Sequence, residues 1–191
     1  MHPLTHIYTG VNALKIENAE FIFGLTAPDI PSIFSSRNGG LRYYETHNAA
    51  ASAKLKNKDL AQGFAAHYAV DVKCHNHGEF ERGFSFYTHN VPEYLMELWV
   101  AKTNPEVFTL AEKMYSINVD EVASDMADAF QKDFKYTKSL VNGWFTVMRT
   151  ANLTAKVMKN LVPNIENNFT NGLDDRIREY IICCAKLQKT I

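Results

Sequence analysis

Cysteine is scarce and set in no stapling pattern: Cys183 and Cys184 are adjacent, and only Cys74 stands elsewhere. A disulfide framework is thereby excluded, and a reducing, cytoplasmic compartment is the expectation. Proline and glycine are also few, six and nine of 191 residues, and no stretch is rich enough in them to mark a linker. A single domain over residues 1–191 follows, long enough to bury roughly 70% of the surface of its unfolded chain. No long apolar run exists, since the one around residues 94–101 is broken by Glu97 and followed by Lys102. That is well short of the roughly 20 residues of a membrane-spanning helix. The start, Met1-His2-Pro3-Leu4-Thr5-His6, lacks the basic and then apolar layout of a secretion signal. Charge of one sign is missing too: 20 basic against 21 acidic side chains leave a net charge of −1, no footprint for duplex nucleic acid or an anionic membrane.

What the chain has is histidine in one place. All seven (His2, His6, His47, His67, His75, His77, His89) lie in the first 89 residues. Histidine is the commonest protein metal ligand and the usual acid or base near neutral pH, so any chemistry belongs to this half. The second half reads as helical scaffold. From Val119 to Phe134 apolar residues recur at three- and four-residue steps behind an Asn118…Glu121 capping box. Leu140, Val141, Trp144, Val147, Met148 and Ala151 mark a further helix that Pro163 should end, and Ile177, Tyr180, Ile181, Cys184 and Ala185 a last one. A shorter helix opens after Asn104-Pro105.

In the first half, 49–55 and 60–73 look helical, with Asp59 starting the second, and 25–44 looks irregular because of Pro28, Pro31, Ser35-Ser36 and Asn38-Gly39-Gly40. Strand signals are limited to Phe84–Tyr87. The fold class expected is all-α. His67, Asp71 and His75 follow at successive four-residue steps, which puts two nitrogen donors and a carboxylate on one helix face. Such a mixture suits zinc rather than magnesium or calcium. For one pair alone, a surface ion pair is the competing reading. His89 and Glu93 repeat the spacing, although Asn90-Val91-Pro92-Glu93 also has the form of a helix cap. Thr5-His6, Pro28-Asp29 and Thr46-His47 each offer one further donor that, taken singly, reads as a cap or surface residue.

In order, these pieces resemble the zinc-dependent phospholipase C family, which is related in fold and metal site to the S1/P1 single-strand nucleases. The likeness covers roughly residues 4–93, and its core is Gly63-x3-His67-Tyr68-x2-Asp71 with Gly24-Leu25-x2-Pro28-Asp29. It implies a single-domain multi-helix bundle of that type, with the metal site built from residues 1–93 and a scaffold from 94–191. It further implies two or three zinc ions per chain. His47, His67 and Asp71 resemble the ligands of one ion, with Asp29 a further ligand or the catalytic base that positions water. His6 with Asp71 resembles a second position, Asp71 bridging. One of His75 or His77, with His89 and Glu93, resembles a third.

Closely spaced cations suit hydrolysis of a phosphate ester, because they neutralise phosphoryl oxygens and acidify a water that attacks phosphorus. The expected activity is therefore a zinc-dependent phosphoric ester hydrolase of phospholipase C type. Its substrate would be a phospholipid head group or a small soluble phosphoester. Phe34, Tyr43, Tyr44, Phe80, Phe84, Phe86 and Tyr87 could line the approach or belong to the core. A nuclease-like phosphodiesterase ranks behind it, since Arg37, Arg42 and Arg82 are a thin supply of positive charge. The alternative from another class is a helical protein whose metal is structural, closed by four protein ligands.

Overall fold

The computed structural model describes residues 3–34, 40–75, 86–160 and 167–187, without the side chains of 74–75, 86–92, 167–173 and 187. Within them the chain is all-α. The expected strand at Phe84–Tyr87 is replaced, over the part described, by the start of a helix at Phe86. Aromatic residues favour strands only where a pleated neighbour can pack on them, and none exists among the described residues. None of the described helices is long and apolar enough to cross a membrane.

Helix α1 (Pro3–Leu14) begins on a proline, which needs no N–H partner there, and buries Leu4, Ile7, Val11 and Leu14 along one face. Lys15, at φ 58°, ends it. Helix α2 (Ala19–Gly24) is capped by Asn18, whose Oδ1 accepts the Phe21 N–H at 2.9 Å. The stretch expected to be irregular is partly ordered into a 3-10 turn at Ala27–Asp29, α3 (Ile30–Phe34) and α4 (Tyr43–Thr46). Prolines at the first turn of a short helix start it rather than break it. Residues 35–39 lie outside the described set. The helix expected over 49–55 shrinks to a 3-10 turn at Ser52–Lys54.

Helix α5 (Lys58–His75) is the expected histidine helix, but its cap is Asn57, which accepts the Leu60 N–H at 3.0 Å. Asp59 instead accepts from Asn18 Nδ2. Helix α6 (Phe86–Thr103) follows, then α7 (Val107–Lys113). The periodic run from Val119 to Phe134 is two elements. Helix α8 (Val119–Phe130), capped by Asn118, stops where Gln131 turns left-handed at φ 54°. Helix α9 (Phe134–Met158) restarts behind Asp133, whose carboxylate accepts the Tyr136 N–H. Helix α10 (Asn167–Leu187) is the expected last helix; Pro163 lies outside the described residues.

One buried cluster runs from Leu4 to Cys184 and includes Trp144 and Tyr180, both at most 2% exposed. Helix α5 is its axis, packed on α2 and α10, while α1 lies against α5, α6, α7 and α10. The α2–α5 crossing is tight because two glycines meet there. A Cβ on Gly63 would lie 2.7 Å from the Gly24 Cα, and one on Gly24 would lie 2.5 Å from the Leu60 carbonyl oxygen. No side chain can yield at a backbone-to-backbone contact. Gly63→Ala is therefore expected to cost about 1–3 kcal/mol. For a chain of this size the melting temperature should fall by about 2–4 °C per kcal/mol, which calorimetry would read.

Candidate metal centre

The α2–α5 crossing sets the position of His67, four residues beyond Gly63. Fully buried on α5, its ring has Nδ1 3.0 Å from the Leu25 carbonyl, just past the end of α2. A carbonyl only accepts, so Nδ1 carries the proton and Nε2 is the atom turned to the site. His47, at the end of α4, is held in the same way, with Nδ1 3.2 Å from the Tyr43 carbonyl and 3.0 Å from Thr46 Oγ1. The Thr46 hydroxyl also donates to the Pro28 carbonyl at 2.9 Å, which fastens α4 to the turn that carries Asp29.

Those constraints bring five expected residues to one place. The Nε2 atoms of His47 and His67 are 3.1 Å apart. Asp29 Oδ1 lies 3.3 Å from His47 Nε2 and 3.9 Å from His67 Nε2. Asp71, one turn beyond His67 on α5, faces two ways. Its Oδ2 is 3.4 Å from His47 Nε2 and 3.5 Å from His67 Nε2, while its Oδ1 is 3.4 Å from His6 Nε2. His6, on the first turn of α1, stacks on His67 with ring centroids 4.0 Å apart. Asp29, His47 and His67 form one set of mutually close donors, and His6, His67 and Asp71 a second.

Lone pairs of imidazole and carboxylate that converge this closely repel unless a proton or a cation lies between them. A tetrahedral ion held at 2.0–2.2 Å has its ligand atoms about 3.3–3.6 Å apart. The separations from Asp71 Oδ2 to His47 and His67, and from Asp29 to His47, fall in that range, while His47–His67 at 3.1 Å is shorter and Asp29–His67 at 3.9 Å longer, so the donors could hold an ion of zinc size after small shifts.

With protons alone in the site, charge is divided unevenly. Burial by itself would lower the His67 pKa, but the carboxylates of Asp71 and Asp29 and the bond to Leu25 raise it to about 9. The same burial, with cationic His67 stacked on it, lowers His6 to about 4 in spite of Asp71. Both carboxylates are pushed up by burial and pulled down further by His67, ending below the usual carboxylate range. In the metal-free centre the two carboxylates thus hold a proton on His67.

Glu93 is buried on α6, and its charge helps to raise the Tyr43 hydroxyl pKa, after burial, Asp71 and Asp29. Because α6 starts at Phe86, Glu93 lies seven residues into the helix, and the capping role read from Asn90-Val91-Pro92-Glu93 is excluded. His75 and His89 belong to α5 and α6, but their side chains, and all of His77, lie outside the described residues. Of the expected aromatics, Tyr43 stacks on His47 at 3.7 Å and is 47% exposed, so it rims the site, while Tyr44 is 62% exposed and does not belong to the core. Phe34 packs toward Gly143 of α9; Phe80, Phe84 and the side chains of Phe86 and Tyr87 are not described.

Glu97 is a residue that the motifs did not single out. No family model matches the chain, and no characterised protein and no solved structure matches it.

Proposed function

We propose that the chain is a metal-dependent hydrolase of phosphate esters, with zinc as the ion. The observation that supports this most is Asp71, whose two oxygens face separate imidazole groups, the arrangement needed for one carboxylate to serve two cations. His47, His67, Asp29 and Asp71 Oδ2 would hold the first ion, and His6 with Asp71 Oδ1 would contribute to the second. Glu93, His89 and one of His75 or His77 remain assigned to a third by resemblance. Bound cations would neutralise phosphoryl oxygens and lower the pKa of water toward neutrality.

The chain's own groups supply the rest. Asp29 joins the donor set through Oδ1, which leaves Oδ2 to orient water and accept its proton. Tyr43, stacked on His47 at the rim, offers an apolar face to the non-reacting part of a substrate. Arg42 donates to the Tyr44 hydroxyl at 2.9 Å, and Arg37 and Arg82 lie outside the described residues, so the substrate ranking keeps to the short supply of arginine in the sequence. A phospholipid head group or small phosphoester therefore ranks ahead of single-stranded nucleic acid.

A structural ion is the second reading, and the first site's own count favours it: Asp29, His47, His67 and Asp71 are four donors, enough to close a tetrahedron. Against it stand the ligand types. Structural zinc is usually held by cysteine, whereas Cys183 and Cys184 bond the Ala69 and Ala66 carbonyls instead. Elemental mass spectrometry on protein purified without chelator separates the readings. Two or three equivalents of zinc per chain, with chelator-reversible hydrolysis of a soluble phosphodiester, is the expected result. One equivalent without hydrolysis selects the structural ion, and none removes both.

A further inference from the structure

The three imidazoles of the centre are not oriented alike. His67 and His47 are each fixed through Nδ1 by a backbone carbonyl, but the buried Nδ1 of His6 has no hydrogen-bond partner among the described residues. A ligand histidine is normally aimed by the bond on its other nitrogen. For His6 that role passes to the helical turn that carries it. This turn has no acidic residue of its own, and its free N–H groups would be left unsatisfied inside the protein. Glu97 of α6 supplies what is missing. One carboxylate oxygen accepts the Leu4 N–H at 2.8 Å; the other accepts the Thr5 N–H at 2.9 Å and the Thr5 hydroxyl at 3.1 Å. The side chain is 5% exposed and bonds the residues directly before His6 from 92 positions away in sequence.

We propose that Glu97 is the positioning residue of the second cation position. It clamps the first turn of α1 so that His6 Nε2 meets Asp71 Oδ1. It also ties α1 to α6, which carries Glu93 one turn earlier. The inference rests on the metal-centre reading, but it concerns only the His6 side of that centre. The carboxylate charge matters because it faces the positive end of a helix as well as three donors. Glutamine keeps the shape, loses the charge and turns an N–H₂ group toward N–H donors.

The test is stepwise zinc binding by calorimetry, with the visible absorption of cobalt(II) as a second readout. Asp125→Asn serves as control: Asp125 caps the other ligand helix from a distance, accepting the Lys56 and Asn57 N–H groups at 2.9 Å each, far along α5 from His67. Glu97→Gln is expected to weaken the second equivalent by about 10–100-fold and to leave the first within threefold. Asp125→Asn should lower the melting temperature without moving either step. Should Glu97→Gln fail to fold, Thr5→Val removes the 3.1 Å bond alone and should weaken the second step by about threefold to tenfold. A second step unchanged in the variant that folds, or weakened equally by Asp125→Asn, overturns the proposal. Wild-type protein that binds one equivalent overturns it while leaving the first site in place; wild-type protein that binds none overturns the metal reading as well.

Discussion

Asp71→Ala is expected to remove bound metal and hydrolytic activity together. Its two oxygens are the only carboxylate atoms among the described residues that approach all three of His6, His47 and His67. Loss of the side chain takes a ligand from both positions at once. Activity that depends on the cations should fall by about 10³-fold or more, since a Lewis acid contributes several kcal/mol to the barrier. Zinc content should fall by the equivalents held at the first and second positions. Asp71→Asn keeps an oxygen in place but no charge, and should retain the first ion with weakened affinity. The measurement is zinc per chain by elemental mass spectrometry, alongside phosphodiesterase rate. Full metal content in Asp71→Ala would sink the assignment of the bridging ligand.

The second large effect is in the pH dependence of the metal-free protein. His67 has a folded pKa of about 9 against an unfolded value of about 6.5. A base with a raised folded pKa contributes stability that is fully present below pH 6.5 and is lost as pH rises through about 9. His6 has the opposite sign. Its folded pKa of about 4 means that the unfolded chain takes up a proton first as pH falls below about 6.5, so stability drops toward pH 4. Asp29 and Asp71, both held low, add stability above the usual carboxylate range that is lost as acid protonates them. Each histidine limb amounts to a few kcal/mol at most.

Metal-free protein should accordingly be most stable near pH 6–7 and weaken on both sides, as chemical denaturation at a series of pH values would read. His67→Gln should flatten the alkaline limb and also weaken the acid one, because the His67 charge helps to hold His6, Asp29 and Asp71 low. A metal-free profile that rises steadily from pH 7 to pH 10 would contradict the proton held on His67. Zinc must displace that proton, so binding at pH 7 should release about one proton per chain and tighten as pH rises toward 9. Potentiometry in unbuffered solution checks this directly.

Much of the scaffold was legible in order of residues. The apolar periods of α8, α9 and α10 are legible as helices because a face buried every three to four residues has one backbone solution. The break between α8 and α9 was not, since the apolar phase runs on through Phe134 and glutamine is not a residue that announces a left-handed turn. Helix α1 carries the same spacing in Leu4, Ile7, Val11 and Leu14, but its cap comes from Glu97, which no local window contains. The false helix at 49–55 and the misplaced cap at Asp59 are failures of the same kind, where tertiary partners chose among local options of similar energy.

The centre divides along the same line. His67 and Asp71 share a face of α5 by arithmetic, because four residues are about one helical turn. His6, Asp29 and His47 were only single polar residues beside a helix or turn, joined to that pair by resemblance. Their convergence depends on Gly63 and Gly24 letting two backbones touch, on Thr46 fastening α4 to Pro28, and on Glu97 closing the start of α1. Sequence spacing determines which side chains one helix presents together, because the helical period is local. Which helices then meet, and which donors face one point, was decided by packing, because burial and hydrogen-bond satisfaction act between residues that the chain order keeps far apart.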